Sequence, residues 1–344
     1  MQCLGTEGIR LVEHVRVAFG TGIVLGLWRG QLAVPPTTAH LLTYHDGRCN
    51  ANCQFCPQAR GSTADTKMLS RVVWPRCDFE RVLLAFNEKN DEFMRICVQT
   101  VNYKGVIDDV CELVAQIKNT CDTPISVSCQ PIEIRAIEKL REVGAERVSI
   151  ALDAATPELF DRLKGKRIGS SYTLEGHIKA LDDARAIFGD GVSTHLIVGL
   201  GESEQDMVQT IQLLHDRDIA IGLFAFTPIA GTPLSNRPQP DVSSYRRIQL
   251  ARFLIAADLS RVEQMRFESG QIIDFGMEQD VLCEKIESGE PFRTSGCPGC
   301  NRPFYNESPR GPIYNYPKKL TQKEKTEIKT QLGFQSSTSQ NHRV

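Results

Sequence analysis

Apolar positions along this chain fall into two alternating periods. Short runs rich in Val, Ile, Leu and Phe recur at 39–44, 93–99, 124–130, 147–153, 193–200 and 221–228, with a weaker run at 264–269. Each predicts a strand of a largely buried sheet. Between them lie stretches with helical spacing, at 78–89, 107–119, 131–143, 174–188, 203–216 and 241–258. In 107–119, for example, Ile107, Val110, Val114 and Ile117 fall on one helical face. Asp78, Thr156-Pro157 and Ser203 mark helix starts ahead of acidic residues. Such alternation predicts a parallel α/β sheet, and six to eight units predict closure into a TIM-barrel-like (β/α) barrel.

Three segments flank this barrel, which spans 39–276. Residues 1–38 read as a helical lead-in ending at Pro35-Pro36. Residues 277–317 hold a short helix, 277–288, and then the Cys-, Pro- and Gly-rich stretch "SGCPGCNRPFYNESPRGP". From 318 to 344 the chain is Lys-rich and helical, and its end, "QSSTSQNHRV", is expected to be disordered.

Composition narrows the partners. A net charge of −2 over 344 residues gives no basic field to recruit nucleic acid or anionic lipid. The stretch "FGTGIVLGLW" is apolar for only ten residues, too short to span a bilayer. No secretory signal is expected in the first 36 residues, so the expected location is the reducing cytoplasm. Twelve cysteines in that setting point to metal or redox chemistry before disulfides.

The cysteines cluster twice. In "CNANCQFCPQAR", Cys49, Cys53 and Cys56 fall within eight positions, directly after the first barrel strand. In a βα barrel that loop opens on the face where active sites sit. Three thiolates suit a [4Fe–4S] cluster whose fourth iron is left open to another ligand. A structural zinc site completed by a distant Cys or His is the alternative. The second group is Cys297-Pro-Gly-Cys300, whose Pro-Gly enforces a tight turn, with Cys283 fourteen residues upstream near the end of helix 277–288. These three thiols suggest a second, auxiliary [4Fe–4S] cluster; a zinc knuckle or a redox dithiol is the alternative.

CxxxCxxC with Phe55 before the third cysteine resembles the radical S-adenosylmethionine superfamily. The resemblance implies that S-adenosylmethionine chelates the open iron of the Cys49/Cys53/Cys56 cluster. An electron from a low-potential donor then splits the sulfonium and releases a 5′-deoxyadenosyl radical. "HLIVGLGE" (195–202) resembles the family's fifth-strand segment, which makes Ile197, Gly199 and Glu202 cofactor-binding candidates. "AFTPIAGTPL" (225–234) resembles the sixth-strand segment, with Gly231 in it. Phe55 is expected beside the adenine, or simply packed against its loop. Asp153 is expected on the ribose hydroxyls, or as a helix N-cap. No acid or base residue is expected to act on the C–H bond.

Over roughly residues 38–300 the chain is most similar to the biotin synthase branch, with "CNANCQFCPQ" and "ALDAATPE" as shared segments. That branch carries a [2Fe–2S] cluster in the barrel on three cysteines and an arginine. Cys97, Cys129 and Arg266 match three of those positions, while the third cysteine position falls on Ser193. Ser149 and Ala151 replace the branch's asparagines. The C-terminal "TSGCPGCNRPFYNESPRGPIYNYP" resembles the two-protein archaeal lipoyl synthases instead. Each component of that pair has two [4Fe–4S] clusters and inserts sulfur into an octanoyl chain on a carrier protein. The resemblance implies a sulfur-inserting component acting on an octanoylated lipoyl carrier, with a second synthase component as partner and the auxiliary cluster as sulfur donor. Lys318, Lys319, Lys323 and Lys325 would dock an acidic carrier, or merely form a solvated helix face. The alternatives are a biotin synthase-like or other radical enzyme (methylation, rearrangement) on a small molecule, and an iron–sulfur electron carrier. His45 is expected near cofactor or substrate, with His40 and His195 as ordinary strand residues.

Overall fold

The computed structural model describes residues 12–334. Strand β1 (His14–Val17) and helix α1 (Phe19–Val24) precede the first barrel strand, β2 (Thr38–Thr43). The cysteine loop follows, then a small hairpin of β3 (Met68–Leu69) and β4 (Val72–Val73), and β5 (Arg76–Asp78) leading into α2 (Phe79–Glu88). The alternation continues with β6 (Arg95–Gln99), α3 (Val106–Thr120), β7 (Ile125–Cys129), α4 (Ile134–Glu142) and β8 (Arg147–Ile150). Helices α5 (Pro157–Leu163) and α6 (Leu174–Phe188) precede β9 (Val192–Val198), α7 (Glu204–His215), β10 (Ala220–Ala225) and α8 (Val242–Ala256). A hairpin of β11 (Arg266–Glu268) and β12 (Gln271–Asp274) and helices α9 (Gln279–Ser288) and α10 (Gln322–Gln331) complete the chain.

The main sheet runs β10-β9-β8-β7-β6-β2-β1-β5. Its six strands from β10 to β2 are parallel, which makes a partial TIM-barrel-like α/β fold. The expected closure does not come from strand pairing: β10 and β5 are both free edges of the sheet. Residues 293–316 bridge the gap instead. Leu223 N–H of β10 donates to Ser295 Oγ at 3.0 Å, and Thr227 Oγ1 donates to Asn306 O at 2.7 Å. Across the gap, Arg71 donates to the carbonyls of Phe304 and Glu307 at 3.0 and 2.8 Å. The C-terminal segment is therefore a wall of the barrel.

That wall is fastened to α8 by buried polar side chains. Arg246 and Gln249 both donate to Tyr314 O, at 2.6 and 2.9 Å, and Tyr245 OH donates to Asn315 at 3.1 Å. A fully enclosed guanidinium is tolerable only when its donors are met, and here they are.

Two expectations about organisation need correction. The lead-in is not simply helical, because β1 pairs antiparallel with both β2 and β5. Val15 and Val17 are fully buried, a two-residue period in a run too short to register against its surroundings. The weak run at 264–269 is no barrel strand either: β11 pairs only with β12, away from the main sheet. Among the caps, Thr156 and Ser203 accept from Leu159 and Asp206 N–H as expected. Asp78 makes no side-chain cap and meets His14 Nε2 at 3.3 Å instead. Among the described residues no helix is long and apolar enough to cross a membrane. The expected disorder of "QSSTSQNHRV" and any helix in residues 1–11 lie outside the described residues.

Candidate active site

The loop after β2 is closed by its own backbone. Cys49 N–H donates to Gln58 O, Cys56 to Cys53 O, Ala59 to Cys56 O and Arg60 to Ala51 O, all at 3.0–3.1 Å. Arg48 ties the same ring together through Pro57 O at 2.9 Å and Ala64 O at 2.6 Å. Asn102 N–H, just past β6, donates to Cys49 Sγ at 3.1 Å. This gathers Cys49, Cys53 and Cys56 at the carboxyl end of the parallel strands. Burial pushes the Cys53 thiol up to about 12 and raises Cys56 further, helped by its neighbour Cys53. A cluster takes cysteines as thiolates, so its binding here would release these protons.

Around this loop the cofactor candidates divide. Phe55, Asp153 and Ile197 line a central cavity of about 200 Å³, beside Cys56. Asp153 is no helix cap, since Thr156 fills that role; its Oδ2 accepts from Lys164 Nζ at 2.7 Å. Lys164 is fully buried and also reaches Ala151 O, a partner that sequence reasoning missed. Gly199, Glu202 and Gly231 are not among the cavity's lining residues. The Glu202 carboxylate accepts from Gly199 and Leu200 N–H, at 2.6 and 3.0 Å, and so shapes the turn after β9. Gly231, at φ +87°, accepts from Thr63 N–H at 2.9 Å and docks the cysteine loop on the turn after β10. A Cβ there would stand 2.5 Å from Ala64 N, so no larger residue fits.

The cavity continues to the other end of the barrel. Its inward positions are small and polar: Ser126, Ser128, Ser149 and Ser193, with His40 and His195. Burial holds His195 down to about 4 and His40 to about 3, with Arg302 adding to both effects, so both imidazoles are neutral. The turn of Cys297–Cys300 plugs this end, Cys300 N–H donating to Cys297 O at 3.1 Å. Thr37, one residue before β2, holds it through Asn301 Oδ1 at 2.9 Å and Gly299 O. Cys297 and Cys300 face the cavity together with Cys97 of β6.

Cys283 does not join them. Leu282 and Ile286 turn the buried face of α9 inward, which leaves Cys283 exposed, in contact with Gln279. The expected set of Cys283, Cys297 and Cys300 is therefore replaced at the cavity by Cys97, Cys297 and Cys300. The barrel set matched to the biotin synthase branch is not assembled either. Ser128 lines the cavity and its neighbour Cys129 does not, while Arg266 is exposed and paired with Asp274 at 2.8 Å. His45 stacks on Tyr103, with ring centroids 4.6 Å apart, and does not line the cavity; His40 and His195 do. Strand alternation was the available signal, since His40, Cys97, Ser126 and Ser193 all occupy inward positions. Among the described residues no three His, Cys, Asp or Glu side chains converge as a site for a single metal ion.

Residues 43–214 match the family model of the Radical SAM superfamily, and the chain belongs to that superfamily. Its curated relatives include the biotin synthase of Cytophaga hutchinsonii, 24% identical over 275 residues and covering 76% of each chain. The biotin synthase of Synechococcus elongatus is 25% identical over 276 residues, 76% of this chain and 80% of that one. Among solved structures, methylornithine synthase superposes with a TM-score of 0.51 at 17% identity, covering 70% of this chain and 67% of the other, a likeness of fold. Membership implies a [4Fe–4S] cluster and S-adenosylmethionine, and the Cys49/Cys53/Cys56 loop has the donors for the former. The match ends before β10, so it leaves Cys297 and Cys300 unassigned.

Proposed function

We propose that the chain is a sulfur-inserting radical enzyme, a lipoyl synthase component that acts on an octanoyl chain carried by a protein. One observation carries this reading: Cys56 and the Cys297/Cys300 pair border opposite ends of one cavity. When bound, the groups at these two ends would supply a hydrogen-abstracting 5′-deoxyadenosyl radical and a donor sulfide. The chain's own part is to hold the reacting carbon between them and keep water out. Phe224, Phe226 and Ile197 give the cavity an apolar side suited to a saturated chain. No side chain has to remove a proton, and the neutral His195 is suited to hydrogen bonding with Ser149 at 3.3 Å.

Biotin synthase chemistry is the second reading, favoured by the curated relatives. Against it, Cys129 and Arg266 do not reach the cavity, and Ser193 stands where the third barrel cysteine is expected. The proposed partners are an octanoylated carrier, a second synthase component and a low-potential electron donor. Lys318, Lys319 and Lys323 are exposed and available to an acidic carrier.

The test is an anaerobic assay of reconstituted protein with reductant, S-adenosylmethionine and an octanoyl-lysyl peptide, read by mass spectrometry. Deoxyadenosine together with a peptide heavier by one sulfur supports the proposal. Sulfur gain on dethiobiotin instead establishes the second reading. Deoxyadenosine without sulfur gain on either substrate removes sulfur insertion altogether, and no deoxyadenosine at all leaves an electron carrier.

A further inference from the structure

The far end of the cavity brings together donors from three distant parts of the chain. His40 and Cys97 are register partners on the parallel strands β2 and β6, so both point to the same face of the sheet. His40 Nε2 lies 3.9 Å from Cys300 Sγ. Cys97, Cys297 and Cys300 all line the same cavity. The three thiols thus surround one space, with an imidazole at its side.

Two groups there, the buried His40 and the half-buried Arg302, have few partners. His40 is 2% exposed, yet its Nδ1 has no partner in hydrogen-bonding geometry, although the Thr38 backbone acts weakly on the ring. Its Nε2 has only the long contact to Cys300. A buried imidazole left so poorly satisfied calls for an explanation, and a bound metal is one. Arg302 is the second. It donates to Ser295 O at 2.7 Å and lies 4.0 Å over the Phe224 ring, and among the described residues no ion pair joins it to a carboxylate. Its charge also reaches the Glu307 carboxyl of the same wall, and a thiolate-ligated cluster would bring further negative charge beside it.

Within the sulfur-insertion reading, on which this inference rests for its purpose, we propose that Cys97, Cys297, Cys300 and His40 Nε2 form one iron–sulfur site, with Arg302 as its counter-charge. The ligand set is three thiolates and one neutral imidazole, drawn from β6, the C-terminal turn and β2. A neutral imidazole in place of a fourth thiolate lowers the negative charge of the site and raises its potential. Cys283 has no part in it.

The experiment uses the full chain carrying Cys49→Ala, Cys53→Ala and Cys56→Ala, so that only the second site remains. After anaerobic reconstitution with ferrous iron and sulfide, iron, sulfide and zinc are counted per chain. About four irons and four sulfides are expected. Cys97→Ala and the volume-conserving Cys97→Ser should each lose most of this iron, as should Cys300→Ala, with circular dichroism showing the fold retained. Cys283→Ala should keep all of it. In the reduced cluster, a nitrogen hyperfine coupling that changes on ¹⁵N-histidine labelling and disappears in His40→Ala is expected. Iron retained by both Cys97 variants, or lost in Cys283→Ala, overturns the assignment, and so does zinc without sulfide. Absence of the histidine coupling overturns the fourth ligand. These counts need no turnover. A cluster on this set with no sulfur transfer keeps the site and removes the function; sulfur transfer with a Cys97-independent cluster does the reverse.

Discussion

The two thiol groups of this protein are built in opposite ways. Cys49, Cys53 and Cys56 lie within eight residues, on a loop that closes on itself through four backbone hydrogen bonds. Cys97, Cys297 and Cys300 meet only because a C-terminal segment crosses the open edge of the sheet and plugs the barrel. The first group is a property of a loop and the second of the whole fold. Local construction makes a site readable and hard to lose; distributed construction ties it to every contact that positions the segment.

Cutting each group separately gives the largest contrast. Cys53→Ala should reduce deoxyadenosine formation to background, whereas Cys297→Ala should keep deoxyadenosine and abolish sulfur gain, both followed by chromatography of the quenched assay. If Cys297→Ala leaves sulfur gain intact, the two ends of the cavity do not cooperate. Lys164→Met tests the first end through its support. It strands the buried Asp153 carboxylate without its 2.7 Å partner and should cost about 3–5 kcal/mol in denaturant unfolding.

The second end should respond to pH. Burial raises Glu307, in the C-terminal wall, from 4.5 to about 7. Between these values the unfolded chain has released a proton that the native protein retains, so stability falls as pH rises and levels off above about 7. The expected fall is on the order of 3 kcal/mol, and Glu307→Gln should flatten it in melts taken across that range. Gly231→Ala should act at the first end alone. The added Cβ meets the Ala64 backbone at φ +87°, costing about 2 kcal/mol and loosening the cysteine loop. Iron at the first site should then be lost faster to a chelator, while the second site holds.

The sequence made the first site and the six-stranded repeat legible because both rest on short-range signals. Period-two and helical spacing placed the parallel strands and their helices within a few residues of where they lie. Cys49, Cys53, Phe55 and Cys56 needed only their spacing. What stayed hidden depends on contacts between distant segments. The Cys283 assignment followed nearness in sequence, and the phase of α9 overruled it. Lys164 finds Asp153 across a helix, Gly231 finds Thr63 across the barrel mouth, and Arg302 acquires its place only when residues 293–316 fold against β10. Val15 and Val17 are simply too few to declare a strand before β2 and β5 flank them.

The wall formed by residues 293–316 also sets a timetable for synthesis. All three thiols of the first group are present in the chain as soon as Cys56 is made. Cys97 then waits some two hundred residues for Cys297. Contacts of such sequence separation form late. Until the wall docks, the barrel interior stays open along one side. If the proposed second site holds a cluster, its ligands are together only after the wall has docked, whereas those of the first loop are adjacent in the chain from the start.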